Sequence, residues 1–116
     1  NLKLKNYENI YFISKSVGTI ISGIISEKFN YEKIYNIYLT PVKYTMPFIK
    51  NGINLVVTGD KDEFFSEDNV NEIRNCKGTE INVIKGADHS LEIKGDLDKS
   101  LSILKHVIHL CIDFIK

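Results

Sequence analysis

Short continuous apolar runs alternate along this chain with segments whose apolar residues recur every three or four positions. The runs Ile10-Tyr11-Phe12-Ile13, Ile34–Leu39, Ile53–Thr58 and Glu80–Ile84 are rich in β-branched and aromatic residues, the pattern of strands covered on both faces. Pro41 closes the second run, because a residue without an N–H cannot extend a ladder. The spacing of Ile20, Ile21, Ile24, Ile25 and Phe29 predicts a helix over Thr19–Phe29, with Gly18 and Gly23 allowing close approach to a sheet. Ser66 is a candidate N-cap for a helix over residues 67–76, with Glu67 and Asp68 in its first turn and Gly78 as a stop. Leu97, Leu101, Leu104, Ile108, Cys111 and Ile115 form an apolar stripe, predicting a last helix over Leu97–Ile115. Residues 43–52 read as a short helix or loop ended by Gly52.

Strands that alternate with helices, each strand nearly all apolar, predict an α/β fold: a parallel sheet in a three-layer αβα sandwich with right-handed crossovers. With 116 residues the chain is expected to be a single domain over 1–116. Eighteen Ile, fourteen Lys and eleven Asn stand against a single Ala, Ala87; such a bias reflects AT-rich coding more than function. The net charge is zero and the basic residues are scattered, which argues against a nucleic-acid partner. No apolar stretch approaches the ~20 residues of a membrane span, and no secretory leader is visible. Cys76 and Cys111 lie far apart without metal-type spacing, so no metal or other cofactor is expected and a reducing cytoplasm is the default location.

Reactive side chains cluster directly after predicted strands: Ser16 after the first, Asp62 after the third, His89 after the fourth. In open parallel sheets ligands bind beyond the carboxyl ends of the strands, so these three would share one edge. Ser14-Lys15-Ser16-Val17-Gly18 between strand and helix suits a serine on a tight turn, where flanking positions must be small. The Val17 amide would then head a helix, suited to an oxyanion. The bland reading is a helix-capping Ser14 or Ser16. In Gly59-Asp60-Lys61-Asp62-Glu63 a carboxylate could orient an imidazolium, with Asp60 and Glu63 competing with Asp62; a solvated turn is the plainer reading of that string. His89 could take a proton from Ser16, whereas His106 and His109 lie off the stripe of the last helix as surface residues. Asp88, adjacent to His89, points away from it in an extended segment. Residues 14–19 lack the glycines and Lys-Ser/Thr ending of a phosphate loop, which counts against a nucleotide-binding doubly wound module.

The strings IYFISKSVGT, INLVVTGDKDEFF and VIKGADHSLEI, in the order Ser…Asp…His, resemble the α/β-hydrolase superfamily from its fifth strand to its final helix. Small esterases of the dienelactone-hydrolase type are the nearest analogy. The resemblance implies Ser16 as nucleophile, Asp62 as acid with Asp60 in reserve, His89 as base and Val17 N–H as one oxyanion donor. It implies a small acyl substrate, an ester or thioester, cleaved through an acyl-enzyme, with a non-catalytic binding module of the same fold as the alternative. Ser14 stands where the family carries a glycine. The family's N-terminal strands, and the loop that supplies a second oxyanion donor, have no counterpart in the sequence. The first strand would therefore be a bare apolar edge, so the residues are expected to belong with a missing N-terminal portion in a chain of about 200 residues; a homodimer through that strand is the second option. Tyr44, Met46 and Phe48 are expected either to line the pocket or, more simply, to pack a helix on the sheet.

Overall fold

The computed structural model describes residues 9–115. The elements run in chain order as β1 (Ile10–Lys15), α1 (Gly18–Lys28), β2 (Ile34–Leu39), a 3-10 turn (Lys43–Thr45), α2 (Met46–Asn51), β3 (Ile53–Gly59), α3 (Glu67–Ile73), β4 (Thr79–Ile84) and α4 (Leu97–Ile115). The four strands form one parallel sheet in the order β1-β2-β3-β4. Each strand in sequence is the next in space, so every crossover helix returns the chain one position further along the sheet. No described helix is long and apolar enough to cross a membrane.

Alternation along the central strands divides the core in two, because successive side chains leave a strand on opposite faces. Ile37, Leu55 and Val57 point to the face covered by Ile103 and Val107 of α4, joined by Ala87 and Leu91. Tyr38 and Val56 point to the other face, against Met46 and Ile49 of α2, Phe65, and Val70 and Ile73 of α3. The chain is thus an α/β sandwich of three layers, with α1 packed beside α2 on the second face. Two asparagines are embedded in the sheet. Asn36 donates to Ser26 Oγ (2.8 Å) and Asn54 to the Ile49 carbonyl (2.7 Å), which ties α1 and α2 to the strands beneath them. Ser66 caps α3 as expected: its side chain accepts from the Asn69 amide while Asn69 Oδ1 accepts from the Ser66 amide, a reciprocal capping box.

Several expectations are corrected. β1 lies at the edge of the described sheet, as the resemblance implied, but the expected cover on both faces is missing: Ile13 is more than half exposed. It also runs two residues further than its apolar run, to Lys15, because pairing with β2 continues to Leu39. The buried face of α1 is Thr19, Gly23 and Ser26, whereas Ile21, Ile24 and Ile25 are exposed. Gly23 serves α2 and not the sheet, since a β-carbon there would overlap the Phe48 ring, and a β-carbon at Gly18 would meet nothing. α3 ends at Ile73, three residues short of the expected end. The stripe Leu97, Leu101, Leu104, Ile108 and Ile115 on α4 is exposed; the helix is buried instead through Ile103 and Val107, flanked by Leu110, Cys111 and Phe114. At 100° per residue those two sets lie on different sides of the helix, so α4 carries two apolar faces and the more regular one faces solvent.

Candidate active site

Three connections converge at the carboxyl edge of the sheet. The first leaves β1 at Lys15 and enters α1 at Gly18, with only Ser16 and Val17 between. Reversing direction in two residues forces Ser16 to φ 55°, the left-handed region that costs an L-residue about 1–2 kcal/mol. Its neighbours hold it there. The Ser16 amide donates to the Leu39 carbonyl (3.0 Å). The Ser16 carbonyl accepts both the Thr19 amide (3.0 Å) and the Thr19 hydroxyl (2.6 Å). Thr45 in turn donates its hydroxyl to Thr19 Oγ1 at 2.7 Å, deep in the interior. Ser14, two residues before, has its hydroxyl buried without a partner, so that position rewards small size and not polarity. With its carbonyl and amide fixed, the Ser16 side chain projects away from the sheet.

The second and third connections are laced together. β3 and β4 are neighbours, and Gly59 ends β3 so close to the following loop that a β-carbon there would overlap the Ala87 carbonyl. Lys61 N–H donates to that same carbonyl (2.9 Å), Asp60 N–H to the Ile84 carbonyl (3.1 Å), and Gly86 N–H to Asp60 Oδ1 (2.7 Å). Gly86 adopts φ 81°, which lets the loop turn back. Asp62 and His89 are carried on this doubled loop.

The side chains meet in a line. Ser16 Oγ lies 2.8 Å from His89 Nε2, and His89 Nδ1 lies 2.8 Å from Asp62 Oδ2. The other Asp62 oxygen accepts the Phe64 amide at 2.8 Å, and the Asp62 side chain is fully buried. A carboxylate can only accept, so the proton between Asp62 and His89 belongs to Nδ1. That leaves the Nε2 lone pair facing the Ser16 hydroxyl, the arrangement in which an imidazole can receive its proton. The Phe64 ring covers His89, centroid to centroid 4.7 Å at 52°. Val17 follows as the N-cap of α1, and neither its amide nor that of Gly18 meets a backbone acceptor among the described residues.

Other candidates take different places. Asp60 is a strut for the Gly86 loop and not the partner of His89. Glu63 lines a cleft of 510 Å³ with Phe64, His89 and Lys94. Asp88 Oδ1 accepts the Ser90 and Glu92 amides (2.9 and 3.1 Å) and faces its own loop. His106 and His109 are exposed on α4. Met46 is buried against the sheet whereas Tyr44 is largely exposed, and Phe48 packs on Gly23; none of the three lines the cleft beside His89. Both cysteines are free, and burial pushes the Cys111 thiol up. Among the described residues no group of three His, Cys, Asp or Glu side chains is placed to hold a metal ion. Phe64 and Thr19 are the positions that the sequence reading missed. The S-x-x-T spacing from Ser16 and the aromatic two residues after Asp62 are the signals that would have found them.

No protein-family model matches the sequence, and no curated protein matches it. Solved structures do. An alpha-beta serine hydrolase homologue from Coxiella burnetii is 23% identical with a TM-score of 0.56, matching 70% of this chain and 41% of its own. A protein of unknown function from Agrobacterium tumefaciens, put forward as an alpha/beta hydrolase, is 19% identical with a TM-score of 0.61, over 91% of this chain and 52% of its own. A predicted CIB-like hydrolase from Thermoplasma acidophilum is 15% identical with a TM-score of 0.69, over 96% of this chain and 52% of its own. The chain therefore spans about half the length or less of the structures it matches. Sheet, helix order and these likenesses agree: the fold of this chain is that of part of an α/β-hydrolase.

Proposed function

We propose that this chain contributes the catalytic residues of a serine hydrolase acting on an ester, thioester or related acyl substrate. The observation that carries the reading is the unbroken line from Ser16 Oγ through His89 to the buried Asp62 carboxylate, each link 2.8 Å. Ser16 attacks the acyl carbon while His89 Nε2 takes its proton. Asp62 holds the imidazole tautomer and stabilises the imidazolium that results. His89 returns the proton to the leaving group, and the same base then activates water to hydrolyse the acyl-enzyme. Val17 N–H, at the head of α1, supplies one donor to the oxyanion. Such chemistry with two free thiols suits a reducing compartment such as the cytoplasm.

The test is covalent labelling of the full-length protein with a fluorophosphonate probe, followed by peptide mapping. An adduct on Ser16, absent from Ser16→Ala and slowed by His89→Ala, is the expected result. A folded protein with no adduct at Ser16 would overturn the hydrolase reading in favour of a binding module that keeps the fold.

A further inference from the structure

The peptide between Ser16 and Val17 carries two groups that cannot be aimed separately. A planar trans peptide sends its carbonyl and its N–H in opposite directions, and no described peptide bond is cis. The Ser16 carbonyl and the Val17 amide therefore turn together. With the carbonyl facing the interior, the amide faces outward at the head of α1. Whatever holds the one aims the other.

The backbone alone holds this peptide weakly. Ser16 sits at φ 55°, a conformation that a serine does not favour. The first turn of α1 closes through Thr19 N–H to the Ser16 carbonyl and Ile20 N–H to the Val17 carbonyl, both at 3.0 Å and both spanning three residues. Bonds of this 3-10 kind have poorer geometry than those of an α-helix. A further hold comes from side chains. Thr19 Oγ1 donates to the Ser16 carbonyl at 2.6 Å. A carbonyl can only accept, so the one Thr19 hydroxyl proton is committed there, and Thr45 donates to Thr19 Oγ1 at 2.7 Å. Both threonines are 0% exposed, so solvent does not compete for either hydroxyl, and each bond in such a chain polarises the next. Thr45 belongs to the 3-10 turn that precedes α2. The segment after β2 thus reaches across to the peptide that heads α1.

We propose that Thr19 and Thr45 are positioning residues for Ser16: their two hydroxyls pin its carbonyl inward and so keep the Val17 amide turned outward as an oxyanion donor. This rests on the hydrolase reading above. The threonine hydroxyls bond to each other and to backbone, not to the side chains of Ser16, His89 or Asp62. Their loss therefore acts on the serine and the amide that follows it, and leaves the proton transfer between Ser16 and His89 with the same base. Seating of the turn at Lys43–Thr45 becomes a condition for full reactivity of a serine that it never touches.

The test is the second-order rate constant for fluorophosphonate labelling of Ser16 in the full-length protein, with its pH dependence and a urea midpoint for each sample. Thr19→Val keeps the shape and removes the hydroxyl. It is expected to label about tenfold to a hundredfold more slowly, the scale of a small misplacement at a reacting centre. Thr19→Ser, which keeps the oxygen, is expected to restore a rate close to that of the unmodified protein. Thr45→Val should slow labelling by less, and should add nothing in a Thr19→Val background, where the bond it supports is already gone. The pH midpoint of labelling, which reports the base, should not move. Ser26→Ala is the control: it takes the acceptor from Asn36 Nδ2 elsewhere on α1 and should lower the urea midpoint without slowing labelling. The proposal is overturned if Thr19→Val labels at the unmodified rate, if Thr19→Ser is as slow as Thr19→Val, or if the two valine variants add. A shifted pH midpoint, or a Ser26→Ala as slow as Thr19→Val, overturns it too. If Thr19→Val does not fold, Thr45→Val with Thr45→Ser as its rescue is read the same way. An unmodified protein with no adduct at Ser16 removes the hydrolase reading and this one with it, whereas equal labelling of the unmodified protein and Thr19→Val removes this one alone.

Discussion

Replacing Asp62 by Asn isolates the role of a single proton. The Asp62 side chain is fully buried and accepts twice, from Phe64 N–H at one oxygen and from His89 Nδ1 at the other, both at 2.8 Å. A carboxamide has the same shape but offers one acceptor and one donor group. Its oxygen stays with the Phe64 amide, because the opposite flip would set two donors face to face. The NH₂ then meets Nδ1, which must become the acceptor, and the imidazole proton moves to Nε2. There it faces the Ser16 hydroxyl and no lone pair remains to receive the serine proton. The same exchange in a serine protease triad lowers turnover by about 10⁴ with the geometry intact, or roughly 5.5 kcal/mol at 1.36 kcal/mol per tenfold. Folding should suffer far less: the Phe64 hydrogen bond loses its charge and not its partner, a change of about 1 kcal/mol. The assay is the second-order rate constant for fluorophosphonate labelling of Ser16, with a urea midpoint measured on the same samples. Asp60→Asn is the companion, expected to label at close to the unmodified rate because an amide oxygen can still accept Gly86 N–H. The reasoning is refuted if folded Asp62→Asn labels at the unmodified rate, or if Asp60→Asn is the slower of the two.

Three further outcomes are expected. Gly59→Ala drives a methyl into the Ala87 carbonyl and should cost about 1–3 kcal/mol, read as a lowered thermal midpoint together with slower labelling of Ser16. Burial raises the Tyr38 phenol well above the ordinary tyrosine value, with Tyr31 adding to the shift. The native state thus keeps a proton that the unfolded chain loses near pH 10, so this term stabilises fully below about pH 10 and is lost as pH rises beyond it. Stability measured from pH 9 to 11.5 should fall, and less steeply in Tyr38→Phe. Ser66→Ala removes one half of the α3 capping box and should destabilise by about 1 kcal/mol in a chemical denaturation curve.

How much of this was legible in the sequence depends on which contacts define a residue's surroundings. The central strands were readable because β2 and β3 are covered on both faces, and their apolar runs say so directly. The juxtaposition of Ser16, Asp62 and His89 followed from parallel topology alone, since that topology carries the loops after β1, β3 and β4 to one edge. Periodicity misled on the helices. It reports that a helix has an apolar side but not what that side meets. On α1 the buried face is Thr19, Gly23 and Ser26, small residues chosen for close packing and hydrogen bonds, which no hydrophobic count detects. On α4 the tidier stripe was the outward one. The choice between Asp60 and Asp62 rested on spacing, whereas the structure separates them by the lacing of the two loops, a pairing between residues 26 and 27 positions apart.

The three side chains at the site do not depend equally on the rest of the fold. Asp62 and His89 ride on adjacent strands whose loops are bonded to each other at several points. Among the described residues, Ser16 hangs from the outermost strand, which is bonded to the sheet through β2 alone. Fraying of that edge would withdraw the hydroxyl while leaving Asp62 and His89 still paired. The reactivity of Ser16 then becomes a gauge of how often β1 is seated: whatever steadies the edge raises the fraction of time the site is whole, without touching any of the three residues.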